Sequence, residues 1–254
     1  MKKTDLVITA TLSVVLALGT ACSTNKTAET SEVKSEGAGK GTAPAADTAK
    51  KADQALVRFV NGTTASKDLA FGDATPFTGV GGQDVTAYQS LPAERHDFKL
   101  YAKDDKTTAL ATNSEGLSSG KHYTILAVTD KNGKETLDPI SDDLTPPEAG
   151  QAKVRVINLA RGMEDVDLYA GGEKSALISG AGLDHPTDYK NVAPSTAELT
   201  VRHGMSKRNS APVKDLKLEA GKLYTILVFQ GKNGKLKVKT VEDQFTAAPN
   251  GTAS

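Results

Sequence analysis

Gly120-Lys121-His122-Tyr123-Thr124-Ile125-Leu126 returns later in the chain as Gly221-Lys222-Leu223-Tyr224-Thr225-Ile226-Leu227. Four other stretches return with it. Ala55-Leu56-Val57-Arg58-Phe59-Val60-Asn61 matches Ala152-Lys153-Val154-Arg155-Val156-Ile157-Asn158, and Asp68-Leu69 matches Asp167-Leu168. Tyr88 matches Tyr189, and Lys131-Asn132-Gly133-Lys134 matches Lys232-Asn233-Gly234-Lys235. In chain order the offsets are 97, 99, 101, 101 and 101, so order and spacing are both kept. The chain therefore carries two copies of one unit of about 95 residues, a normal size for a domain with its own core.

The local signals within each unit are β. His96-Asp97-Phe98-Lys99-Leu100-Tyr101 alternates polar and apolar, as a half-buried strand does. Tyr123 to Val128 and Tyr224 to Phe229 are denser apolar runs, suited to a central strand buried on both faces. Each is followed by Asn-Gly (Asn132-Gly133 and Asn233-Gly234), a strong hairpin signal because both turn positions need positive φ. No stretch after the first 21 residues shows a 3.6-residue amphipathic period. Short strands with frequent turns predict a β-sandwich in each unit, and the resemblance of the glycine–tyrosine step to a tyrosine corner makes the expected fold two tandem immunoglobulin-like antiparallel β-sandwich domains. Tyr123 and Tyr224 each enter a late strand behind a glycine, the setting of a tyrosine corner whose hydroxyl bonds to upstream backbone. Arg58 and Arg155 lie on the first strand of each unit and are expected as edge-strand charges or members of an ion pair within the domain.

The flanks differ in kind. Lys2 and Lys3 precede an apolar stretch from Leu6 to Leu18, then Gly19, Thr20 and Ala21, all small, and then Cys22. The stretch falls short of the roughly 20 apolar residues a span needs and has the order of a secretory signal. Cys22 is the chain's single cysteine, so it has no intrachain disulfide partner. Residues 22–54 are rich in Ser, Thr, Ala, Gly, Lys and Glu, a composition that cannot offset the entropy of ordering. The expected division is a signal peptide at 1–21, a lipidated disordered tether at 22–54, a first repeat at 55–144, a proline-containing linker at 145–151, a second repeat at 152–245 and a disordered tail at 246–254. Pro146 and Pro147 stiffen the linker and predict an extended pair of domains.

Two resemblances sharpen this. Leu18-Gly19-Thr20-Ala21-Cys22 resembles the bacterial lipobox, with Gly19 where leucine is usual. That resemblance implies lipidation of Cys22 and an extracytoplasmic protein held at the cell membrane or outer membrane. The paired first strands, the Asp-Leu segments and the Gly-Lys-x-Tyr-Thr strands resemble a bacterial exported family, domain of unknown function 4397, over about residues 54–245 as two copies. The turns Pro92-Ala93-Glu94-Arg95 and Ala193-Pro194-Ser195-Thr196 lack the glycine usual there. The resemblance implies fold and location and carries no activity.

Chemical motifs are sparse. Gly116-Leu117-Ser118-Ser119-Gly120 fits G-x-S-x-G, but a hydrolase needs that serine on a strand–turn–helix elbow. Here a strand follows, and the second copy has no serine there (Leu218-Glu219-Ala220-Gly221). His96, His122, His185 and His203 form no ligand-spaced pair. Asp104-Asp105 and Asp142-Asp143 lack calcium-loop spacing and are expected as solvated turn acids. Gly79-Val80-Gly81-Gly82 lacks the lysine and helix of a phosphate cradle, and with Gly180 to Pro186 it is expected as a mobile loop. No enzyme, metal or cofactor is expected.

Charge separates the copies. The whole chain balances at 31 basic and 31 acidic residues. Residues 55–150 hold 9 basic and 14 acidic residues, a net of −5; residues 152–245 hold 15 basic and 11 acidic, a net of +4. Lys235, Lys237 and Lys239 alternate along one strand face, and with Lys207 and Arg208 they are the candidate ligand-binding residues. The expected function is a non-catalytic binding or structural module of the cell envelope. Its partners would be the membrane, through Cys22, and an anionic envelope polymer or protein. A carbohydrate-binding or adhesin-type role and an envelope hydrolase are the alternatives. The compartment argues against nucleic acid.

Overall fold

The computed structural model describes residues 53–171, 174–204 and 209–244. Seventeen strands, and no α-helix among the described residues, make up the fold. The first repeat contains β1 (Gln54–Asn61), β2 (Lys67–Phe71), β3 (Ala74–Val80), β4 (Asp84–Val85), β5 (Gln89–Pro92), β6 (Arg95–Ala102), β7 (Ala111–Gly116), β8 (His122–Thr129) and β9 (Glu135–Asp142). The second contains β10 (Ala152–Leu159), β11 (Asp165–Ala170), β12 (Ile178–Gly182), β13 (Lys190–Val192), β14 (Leu199–Arg202), β15 (Ser210–Val213), β16 (Leu223–Gln230) and β17 (Leu236–Asp243).

Each repeat is a two-layer sandwich. In the first, the sheet β4-β1-β8-β9, with β5 also on β1, packs on the sheet β3-β2-β6-β7. In the second, β13-β10-β16-β17 packs on β12-β11-β14-β15. The all-β sandwich expected from the turn spacing holds. One pairing departs from a purely antiparallel plan: β1 runs parallel to β8, and β10 parallel to β16. The cause is connectivity. Between β1 and β8 the chain builds the whole second sheet, then returns in the direction it left.

The matched stretches have matched structural uses. Asp68 Oδ1 accepts the Gly79 amide at 2.5 Å, and Asp167 Oδ1 accepts the Gly180 amide at 2.8 Å. Both clamps sit at hairpins whose register shifts, and both glycines have positive φ (58° and 66°), as a bulge residue requires. The tyrosine corners form as expected: the Ser118 amide donates to the Tyr123 hydroxyl at 3.0 Å, and the Glu219 amide to the Tyr224 hydroxyl at 3.2 Å. Asn233-Gly234 turns with both φ positive, at 58° and 70°. Of Asn132-Gly133, Gly133 alone is left-handed, because the Asp130 carboxylate accepts the Asn132 and Lys134 amides and holds a different turn.

The central strands are buried on both faces, and the second face is where the structure corrects the expectation of an extended pair. Val57, Phe59, Ile125 and Ala127 point into the first sandwich; Val154, Val156, Ile226 and Val228 point into the second. The opposite faces meet each other. Val60, Leu126, Val128, Ile157, Leu159, Leu227 and Phe229 form a third apolar cluster that draws on both repeats. Removing each such side chain from water contributes about 1.5–3 kcal/mol. Proline stiffness fixes local dihedrals and does not set where the chain goes next. Thr145 beside those prolines accepts from Lys153 Nζ through its carbonyl and hydroxyl (2.9 and 2.7 Å), which ties the linker to the second repeat.

Candidate functional site

The charged residues on these facing strands form one buried cluster. β1 and β10 place Arg58 and Arg155 on the inter-repeat face, where alternation puts every second side chain. β8 and β16 place Thr124 and Thr225 beside them, since Arg58 pairs in register with Thr124 and Arg155 with Thr225. β9 and β17 end on Asp142 and Asp243. The contacts cross between repeats. Arg58 Nη1 donates to Asp243 Oδ1 at 2.5 Å, and Arg155 Nη2 donates to Asp142 Oδ1 at 2.6 Å. Each second carboxylate oxygen accepts within its own repeat. Asp142 Oδ2 takes the Thr124 and Tyr88 hydroxyls, both at 2.7 Å. Asp243 Oδ2 takes those of Thr225 and Tyr189, at 2.5 and 2.7 Å. Each arginine Nε donates to the threonine of its own repeat at 2.9 Å. Each guanidinium also lies over a tyrosine ring, Arg58 over Tyr88 at 4.8 Å and Arg155 over Tyr189 at 4.5 Å.

The two halves of this cluster are related as the two repeats are. Both ion pairs are almost wholly buried, at 2%/0% and 3%/0% side-chain exposure. At that depth a lone charge is prohibitive, and the pairing plus the hydroxyl donors is what permits burial. Burial alone would raise the Asp142 carboxyl, but Arg155, Arg58 and the Thr124 and Tyr88 hydroxyls outweigh it and hold the group below the usual carboxylate range. Burial pushes the Tyr88 and Tyr189 phenols upward, so both stay protonated as donors. Burial works against the Arg58 charge, yet Asp243 and its neighbours raise it further. Arg58 Nη2 has no hydrogen-bond partner among the described residues.

These positions correct three expectations. Arg58 and Arg155 lie on interior strands, and their ion pairs run between repeats rather than within one. Asp142 is a buried member of the cluster, not a solvated turn acid. The loop at Gly79 to Gly82 is packed: a Cβ on Gly82 would lie 2.2 Å from the Thr64 carbonyl oxygen, and Asn61 Nδ2 donates to the Val80 and Gly81 carbonyls. Asp142 and Asp243 were missed as a pair, although extending the 101-residue offset from Tyr88/Tyr189 and Thr124/Thr225 reaches them directly.

The basic candidates are dispersed. Lys237 Nζ reaches Gln83 Oε1 of the first repeat at 3.3 Å, and Lys239 pairs with Asp84 of the first repeat. Lys235 is exposed at the turn before β17. Lys237 and Lys239 also border an open groove between β15 and β17, with Lys214 on its other side. Lys207, Arg208 and Cys22 lie outside the described residues, as do the signal, most of the tether and the tail. Gly116 to Gly120 runs from β7 into β8, and the Ser118 amide serves the Tyr123 corner. The histidines are separately employed: His96 on the Pro92 carbonyl, His122 edge-on to Tyr88, His185 on the Leu183 carbonyl and His203 on the Asp165 carbonyl.

Comparison with known proteins finds a family match over part of the chain. Residues 55–169 match the model described as Domain of unknown function (DUF4397). The matched segment runs through the first repeat and into β11. No curated protein matches the chain. Among solved structures, a candidate cell adhesion protein from Bacteroides uniformis ATCC 8492 matches with 14% identity over 76% of this chain and 98% of that one, at a TM-score of 0.24.

Proposed function

We propose that this chain is a non-catalytic display module of the bacterial envelope, lipid-anchored through Cys22, whose two sandwiches act as one rigid body. The observation that carries it is the buried crossing of Arg58–Asp243 and Arg155–Asp142. Strongly perturbed ionisable groups are ordinarily a mark of chemistry. Here those of Arg58, Tyr88, Asp142, Arg155 and Tyr189 face one another across the join, where they lock the repeats. A rigid body on a tether suits presentation of a surface away from the membrane. The basic side of the second repeat suits an anionic envelope polymer as its partner, and Lys214 beside the β15–β17 groove, with Lys235 nearby in sequence to Lys237, is the part of it not directed at the first repeat.

The test is retention from envelope extract. Immobilised chain lacking the first 22 residues is compared with a variant carrying Lys214→Glu and Lys235→Glu. Retention of an anionic glycan or acidic protein by the first and not the second supports the binding role. Equal retention, or none by either, leaves a structural role and removes the basic surface from the account. Cys22→Ser should move the full chain from the membrane fraction to the soluble one; unchanged membrane association would contradict the anchor.

A further inference from the structure

The buried cluster cannot by itself choose a partner. Arg58/Arg155, Tyr88/Tyr189, Thr124/Thr225 and Asp142/Asp243 are the same residue at equivalent places in the two repeats. The apolar contacts are equivalent too: Val60 stands where Ile157 does, Leu126 where Leu227 does, Val128 where Phe229 does. A first repeat facing another first repeat would set Arg58 against Asp142 just as Arg58 now meets Asp243. Such a self-complementary face is the ordinary route to pairing between copies.

The repeats differ at the rim. Lys239 is paired in register with Leu227 on β16, and Asp138 holds the same place opposite Leu126 on β8. Asp84 lies two residues before Thr86, whose hydroxyl accepts the Phe59 amide; His185 lies two residues before Thr187, whose hydroxyl accepts the Val156 amide. So 138 corresponds to 239, and 84 to 185. In the chain as folded, Asp84 meets Lys239 in an ion pair. The equivalent pair on the other side of the face is His185 with Asp138. A pair of first repeats would instead bring Asp84 against Asp138 twice. A pair of second repeats would bring His185 against Lys239 twice, offset in part by Asp184 meeting Lys237.

We propose that positions 84, 138, 185 and 239 form a charge code that joins the first repeat to the second repeat of its own chain and bars it from the first repeat of a neighbouring copy. Like charges set against each other at an interface rim suppress the wrong partner while leaving the centre unchanged. The code keeps a self-complementary face from linking neighbouring copies.

The test exchanges two residues without altering composition or net charge. In the chain lacking its first 22 residues, Asp138→Lys with Lys239→Asp makes the native contact of Asp84 repulsive and its contact in a pair of first repeats attractive. A further Asp84→Lys with His185→Asp restores the native preference with every sign reversed. Sedimentation equilibrium reads the mass over a wide range of concentration. The expected result is a monomeric parent, an exchanged variant that self-associates at least about tenfold more tightly, and a restored variant that is again monomeric. A folded exchanged variant that stays monomeric overturns the code, and so does a restored variant that associates as the exchanged one does. If the exchanged variant does not fold, the restored one decides: a folded monomer upholds the code and an unfolded chain overturns it.

Discussion

The two faces of β1 and β8 are equally buried by opposite chemistry. The inner face, with Val57, Phe59, Ile125 and Ala127, is apolar throughout. The outer face mixes Val60 and Leu126 with Arg58 and Thr124, and is buried only because a second copy of the same face covers it. The inner face needs only apolar bulk, which nearly any well-shaped core supplies. The outer face needs one partner in one register, because an arginine displaced from its aspartate would be left charged and dry. The difference separates what holds each sandwich together from what holds the two as a unit.

The sharpest way to break the comparison is to damage each face in turn. Phe59→Ala on the inner face should cost about 3–5 kcal/mol. Hydrogen exchange should show the loss concentrated in the first repeat, with β11 and β14 of the second still protected. Asp142→Ala on the outer face should cost a comparable or slightly smaller amount, about 3–5 kcal/mol, by leaving Arg155 unpaired. Protection should then fall in both repeats, since the cluster belongs to both. Equal, local losses in the two variants would erase the distinction.

Of the two faces, acid should act on the outer one. Asp142 is held below the usual carboxylate range, so its contribution is complete above that range and is lost as pH falls through the ordinary value towards the lowered one. Unfolding midpoints should therefore drop on acidification below about pH 4, and Asp142→Asn should flatten that part of the profile. A profile unchanged by Asp142→Asn would mean that other carboxylates govern it. The smallest effect belongs to the rim. Lys239 and Asp84 are about two-fifths exposed, so Lys239→Ala should cost no more than about 1 kcal/mol in denaturant unfolding. A larger loss would place the rim among the structural contacts rather than the selective ones.

The inner faces were largely legible in the sequence. Alternation through Phe98 and Leu100, the glycine before Tyr123 and the turn at Asn233-Gly234 each rest on local geometry, and local geometry is written locally. The outer face was only half legible. The density of Tyr123 to Val128 says that both sides are covered, whereas the arginine in the first strand reads as an edge-strand charge or an ion pair within the domain. What covers it lies 185 residues away, at Asp243. No spacing rule reaches that far, although the repeat offset, carried on to Asp142 and Asp243, would have marked both ends. Pro146 and Pro147 pointed the other way, towards an extended pair, because stiffness in a linker says nothing about the affinity of what it joins. The basic strand shows the same limit of local reading: Lys237 and Lys239 alternate along one face, and that face meets Gln83 and Asp84 of the first repeat.

The central claim is that Arg58 and Asp243, at opposite ends of the folded chain, are a single buried contact between the repeats. A double-mutant cycle on that pair tests it most directly, with Arg58→Met, Asp243→Leu and the two together compared by denaturant unfolding. Each single change should cost about 3–5 kcal/mol, and the double change far less than their sum, because it leaves neither charge stranded. Costs that simply add, within about 0.5 kcal/mol, are the signature of residues that do not touch, and would contradict the account.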